Sequence, residues 1–200
     1  MTAPRATVVV LQKSLPHHRC AFFDGLRSAL GEHDVDLRLL YGAPRRGDEA
    51  MRRDRGELLW AERLDTRSLR VGGRSLVWQP ALSRLADADL VIVEQAAKLL
   101  VNYPLLTSQL AGTRRVGFWG HGANLQRIGA RRGTEALKRS ASRLPHWWFA
   151  YTEGARARVE AMGYPVERIT VVQNAVDAVA LRRWRSELRD DDVVRVRAEL

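Results

Sequence analysis

The chain has 200 residues, 46% of them apolar, and a net charge of +10 supplied almost wholly by arginine. That is enough for one large domain with a real core, and no segment is long or charge-free enough to span a bilayer. The single Cys20 cannot close an internal disulfide, which excludes a disulfide-stapled scaffold and suits a reducing cytoplasm.

Thr7 to Leu11 (TVVVL) reads as a short buried strand. The opening MTAPRATVVVLQKSLP flows straight into it and lacks a small-residue cleavage site, so no secretion signal is expected there. A loop with Ser14, Pro16, His17 and His18 leads to a helix whose apolar positions are Phe22, Phe23, Leu26, Ala29 and Leu30. Beside these phenylalanines, Cys20 reads as a small core residue rather than a nucleophile. Gly31 stops the helix and Val35 to Tyr41 forms a second strand, completing one βαβ unit.

Gly42 to Glu57 is charged and poor in apolar residues, and reads as a long mobile loop. Ser68 to Val71 and Ser75 to Trp78, joined by Gly72-Gly73, suggest a hairpin. Leu82 to Ala86 looks helical, Asp89 to Val93 is a strand, and Ala96 to Leu110 is a helix kinked or broken at Pro104. Arg115 to Trp119 is a strand and Thr134 to Leu144 a helix with Leu137, Ala141 and Leu144 on one side. Trp147 to Tyr151 supplies the next strand. Thr152 and Glu153 then open a helix with Ala155, Val159 and Met162 inward, and Gly163 and Pro165 end it. Ile169 to Val172 is the last strand, after which Asn174 and Asp177 cap a turn into another helix.

Repeated β/α alternation with apolar strands predicts a Rossmann-like α/β fold: a mostly parallel β-sheet with helices on both faces. Such sheets bind ligands beyond the carboxyl ends of their strands. The polar residues there are Gln12, Lys13, Ser14 and His17-His18-Arg19; Glu94 and Gln95; Gly120-His121-Gly122 and Asn124; Thr152 and Glu153; and Gln173 and Asn174. The glycines around His121 allow a tight turn that lifts the imidazole over the sheet edge, where it contacts a ligand or bonds a loop carbonyl. His17 and His18 either face an anion at a helix start or mark an exposed helix start only. Glu94 binds a substrate hydroxyl or begins the next helix; Arg131-Arg132 and Lys138-Arg139 form a basic helical surface or a merely solvated one. Adjacent histidines point apart and no carboxylate or cysteine sits at ligand spacing, so no metal is expected.

ADLVIVEQ at 88–95, FWGHG at 118–122, WWFAYTEGARARV at 147–159 and VVQNAVD at 171–177, in this order, resemble the N-terminal domain of GT-B glycosyltransferases, especially retaining family four. The loop QKSLPHH lacks the paired glycines common in that family, and Ala175 stands where its closing turn has glycine. The resemblance implies sugar transfer from a nucleotide-sugar donor to a glycan, lipid-linked or related acceptor, with retention and without a cofactor or metal. It makes 1–177 an acceptor-binding domain and 178–200 a helical linker toward a C-terminal donor domain absent from this chain, which is then either a fragment or one half of a split enzyme with that domain on a separate chain. It assigns His121 to catalysis, beside the transferred sugar, and the 12–18 loop to the donor phosphates. Lys13, Ser14, His17, His18, Glu94, Gln95, Gly120, Gly122, Asn124 and Asn174 are the substrate-binding candidates.

A second reading is a non-catalytic glycan- or lipid-binding protein derived from such a half. The basic surface predicts attraction to an anionic membrane, hence a cytoplasmic protein peripheral to the inner face of the plasma membrane. Nucleic acid is not expected, because Trp119, Trp147 and Trp148 fall in strands that the sheet should bury.

Overall fold

The structure, a computed structural model, describes residues 5–43, 55–71, 74–122, 140–173 and 177–198. The strands in chain order are β1 (Ala6–Gln12), β2 (Val35–Gly42), β3 (Glu62–Leu64), β4 (Arg67–Val71), β5 (Arg74–Trp78), β6 (Leu90–Glu94), β7 (Arg115–Gly120), β8 (Trp147–Ala150) and β9 (Ile169–Val171). The helices are α1 (Cys20–Gly31), α2 (Asn102–Leu110), α3 (Glu153–Ala161), α4 (Ala178–Glu187) and α5 (Asp190–Ala198). Short 3₁₀ turns lie at His17–Arg19, Leu82–Leu85 and Val166–Arg168.

Seven strands make one parallel sheet in the order β3-β2-β1-β6-β7-β8-β9, and β4 and β5 form a separate antiparallel hairpin. The order reverses between β1 and β6, which leaves a crevice above their carboxyl ends. Strand parity sorts the core into two layers. Val9, Leu11, Leu40, Val91, Val93, Val116, Phe118, Trp148 and Ala150 face one side, where Leu105 and Leu106 of α2 and Ala155 and Val159 of α3 cover them. Val10, Leu37, Leu39, Tyr41 and Trp119 face the other, under Phe23 of α1 and the half-buried Phe22 and Leu26. Both faces are therefore covered, as the unbroken apolar strands demand.

Several elements differ from expectation. The helix predicted from Ala96 begins only at Asn102. Lys98 and Leu100 instead bond their backbone to the hairpin: Val77 donates to Lys98 O at 2.8 Å and Leu100 to Val77 O at 2.9 Å. The Asn102 side chain donates to Glu94 O at 2.9 Å, and Pro104 falls in the first turn, where a missing N–H leaves no helical bond unmade. Pro104 is thus neither a kink nor a break. β3 was not foreseen, because only Leu64 of its three residues is buried; its charged side chains suit a sheet edge.

Gly31 is the last residue of α1, but the left-handed position is Asp34 at φ 57°. Within the loop predicted from Gly42 to Glu57, residues 44–54 lie outside the described residues. Its end is pinned: Gly56 donates to Leu15 O at 2.9 Å, and Arg55 bridges to Pro16. The hairpin stands as expected, its Gly72-Gly73 turn outside the described residues. Most of the expected Thr134–Leu144 helix likewise lies outside the described residues; of the rest, 140–142 are helical. Trp119 and Trp148 are buried as predicted, whereas Trp147 is half-buried and donates its indole N–H to Thr170 Oγ1 at 2.9 Å.

α3 follows its sequence signals closely. Thr152 Oγ1 accepts from Ala155 N at 3.1 Å, and Gly163 closes the helix at φ 83°, a conformation that glycine adopts without strain. Asp177 caps α4 by accepting from Val179 N and Ala180 N.

Candidate functional site

The sheet's carboxyl edge gathers most of the expected residues around the crevice. Glu94 ends β6 half-buried, and its Oε1 accepts the Lys13 backbone N–H at 2.7 Å, tying the two sides of the crevice together. Loss of solvent pushes the Glu94 carboxyl above its usual range, against the Lys13 N–H and the charges of Arg19, Lys13 and Lys98. Ser14 is half-buried in the following loop. Gln95 extends from β6 to Ser142, its Nε2 donating to Oγ at 3.3 Å.

β7 delivers His121. A Cβ on Gly120 would stand 3.0 Å from the Cβ of Gln95. Gly122 has φ 72°, and a Cβ there would stand 2.8 Å from Val159 Cγ2. Gly122 therefore needs to be glycine and Gly120 is tightly packed, and between them His121 is held exposed at the edge. Its ring lies 4.5 Å from that of Tyr151, and its carbonyl accepts from Arg158 Nε at 3.2 Å. Desolvation, then the charges of Arg158 and Arg19, hold its pKa below the usual 6.5, so the imidazole is neutral near pH 7. A neutral imidazole can both donate to and accept from a hydroxyl.

His17 and His18 sit exposed in the 3₁₀ turn before α1. That turn consumes backbone donors expected to face a ligand: Arg19 N donates to Pro16 O at 3.0 Å and Cys20 N to His17 O. The His17 ring stacks on Trp184 of α4, centroids 6.4 Å apart. Cys20 is half-buried among the core residues under α1, its thiol 3.9 Å from Pro16 O. Asn124, Asn174, the Arg131-Arg132 and Lys138-Arg139 pairs and Ala175 lie outside the described residues. Among the described residues no group of histidine, cysteine and carboxylate side chains is placed to hold a metal.

The sequence reading missed the side chain that links these elements. Arg19 reaches from the start of α1 across the crevice, donating Nη1 to Gln12 Oε1 at 2.8 Å and Nη2 to the Tyr151 hydroxyl at 2.7 Å. Its guanidinium carbon lies 5.6 Å from the Trp119 ring centroid and 5.4 Å from that of Tyr151. Gln12 is fully buried and accepts at its backbone carbonyl from Gln79 Nε2 at 2.8 Å. A basic residue directly after His17-His18 was a legible hint; its partners on β1 and after β8 were not.

No family model matches the chain, and no curated protein matches it. Solved structures do. A UDP-N-acetylglucosamine 2-epimerase superposes with a TM-score of 0.50 at 15% identity, over 83% of this chain and 47% of that one. The Staphylococcus aureus MnaA–UDP structure gives 0.51 at 13% identity, over 84% and 45%. The Anabaena HepE complex with UDP and glucose gives 0.48 at 10%, over 85% and 45%. The chain spans just under half the length of these proteins. At such identities the likeness is one of fold, and that fold is the Rossmann-like half of a GT-B-type protein.

Proposed function

We propose that this chain is the acceptor-binding half of an enzyme acting on nucleotide sugars, with retaining transfer of a sugar to a glycan or lipid-linked acceptor as its reaction. The observation that carries this is His121: a neutral, exposed imidazole at the carboxyl edge of a central strand, between the tightly packed Gly120 and the left-handed Gly122, which has no room for a side chain. In transfer, the bond from the anomeric carbon to the diphosphate breaks, a bond to the acceptor oxygen forms, and the acceptor hydroxyl's proton passes to the departing diphosphate. His121 is suited to hold a sugar hydroxyl during that exchange. The fold likeness supports the substrate class, since those relatives are named for UDP sugars or bound to UDP. It also favours a second reading, epimerisation of a nucleotide sugar, which uses the same ligand.

Calorimetric titration of the 200-residue chain with UDP-glucose and UDP-N-acetylglucosamine, followed by NMR of the incubated nucleotide sugars, tests both. Binding is expected, weakened about tenfold or more by His121→Ala with the thermal midpoint unchanged. Little or no turnover is expected from a chain spanning under half the length of its structural relatives. A C2-epimerised product would favour the second reading. Glycan binding with no affinity for any nucleotide sugar would overturn both in favour of a non-catalytic role.

A further inference from the structure

Around the Arg19 guanidinium, hydrogen-bond donors outnumber acceptors. Its two named bonds go to neutral oxygens, Gln12 Oε1 and the Tyr151 hydroxyl. Accepting from Arg19 fixes the Gln12 amide so that Nε2 is its other end, and that buried nitrogen has no partner. The indole N–H of Trp119, whose ring lies 5.6 Å from the guanidinium carbon, is likewise buried and unpartnered. Unmet buried donors are uncommon in folded proteins, and two beside one cation leave uncompensated positive charge behind it. Arg19 itself is half-buried, so it remains reachable from the side where His121 is exposed. Glu94, the carboxylate whose charge acts on this cluster, already accepts the Lys13 N–H and is biased by burial toward its neutral acid.

We propose that Arg19, backed by Gln12 and Trp119, forms an oxyanion subsite that takes a phosphate or carboxylate group of the substrate. The planar guanidinium presents paired donors that match the oxygens of either group. Here a side chain carries the charge at the start of α1, where the 3₁₀ turn has already consumed backbone donors. The subsite deepens the nucleotide-sugar reading and rests on it only for the identity of the molecule that bears the anion.

Titration of the chain with pyrophosphate, glucuronate, UDP and uridine tests the proposal and separates its two sources. Pyrophosphate binding identifies a phosphate, glucuronate binding a carboxylate; uridine alone is expected not to bind. Arg19→Gln should weaken oxyanion binding about tenfold or more. Gln12→Glu replaces the unpartnered nitrogen by an internal anionic oxygen. It should abolish oxyanion binding while raising the thermal midpoint, a combination that a purely structural Arg19 would not give. If Arg19→Gln does not fold, Gln12→Glu decides alone. Absence of any oxyanion binding, or binding unchanged in Gln12→Glu, overturns the subsite. UDP binding that is indifferent to both substitutions overturns the subsite and leaves the nucleotide-sugar reading standing. Arg19-dependent pyrophosphate binding without affinity for any nucleotide sugar does the reverse.

Discussion

His121 and Glu94 face the same crevice with opposite ionisation tendencies. Desolvation and two arginines lower the His121 pKa, so the unfolded chain holds the proton more tightly. Its contribution to stability is therefore present above the usual 6.5 and lost as pH falls below it. NMR titration of the ring should give a midpoint under 6.5, and Arg158→Ala should raise it; a midpoint at or above 6.5 would contradict the site's electrostatics. Glu94 runs the other way, because burial raises its pKa from the usual 4.5 and the unfolded chain ionises first. Its favourable contribution is present below 4.5 and lost as pH rises through the folded value. Glu94→Gln keeps an oxygen for the Lys13 N–H while removing the charge. The thermal midpoint at pH 7 should rise by roughly 2–4 °C, and the gain should shrink below pH 4.5. Lower stability at pH 7 would show that the carboxylate is structurally required.

α2 and α3 show how local signals and tertiary pairing divide the work of placing helices. α3 begins at a threonine whose hydroxyl meets the N–H three residues on, and it ends at a glycine with φ 83°. Both are local chemistry that any reader of the sequence can see. Thr152→Ala should cost about 1 kcal/mol in chemical denaturation, while Thr152→Ser should cost much less. Equal losses would mean that the hydroxyl bond is not what holds the helix start. α2, by contrast, starts six residues later than its apolar pattern suggests, because Val77 claims the backbone of residues 98–100. That competitor lies over 20 residues upstream and leaves no mark in the local sequence.

The whole molecule is a seven-stranded parallel sheet with a core layer on each face and a net charge of +10. No helix among the described residues is long and apolar enough to cross a membrane. Arginines at the surface make adhesion to anionic bilayers the expected long-range behaviour. Sedimentation with vesicles rich in anionic lipid should capture the chain at low salt and release it as ionic strength rises, since the screening length is about 10 Å at 0.1 M. Capture indifferent to salt, or equal capture by neutral vesicles, would count against an electrostatic surface.

The sequence by itself determined the strand and helix alternation, the two-faced apolar strands and hence the Rossmann-like class, because burying both faces of a parallel sheet requires that pattern at every strand. It also placed His121 at a strand end between two glycines, a local pattern that the structure keeps at the carboxyl end of β7. The tertiary structure alone decided what surrounds that histidine. Strand order places β1, β6, β7 and β8 side by side, and only then do Gln12, Arg19, Trp119 and Tyr151 become neighbours, with Arg19 and Tyr151 132 positions apart. A guanidinium's partners depend on which strand ends adjoin, and that adjacency follows from the packing of the sheet rather than from spacing along the chain.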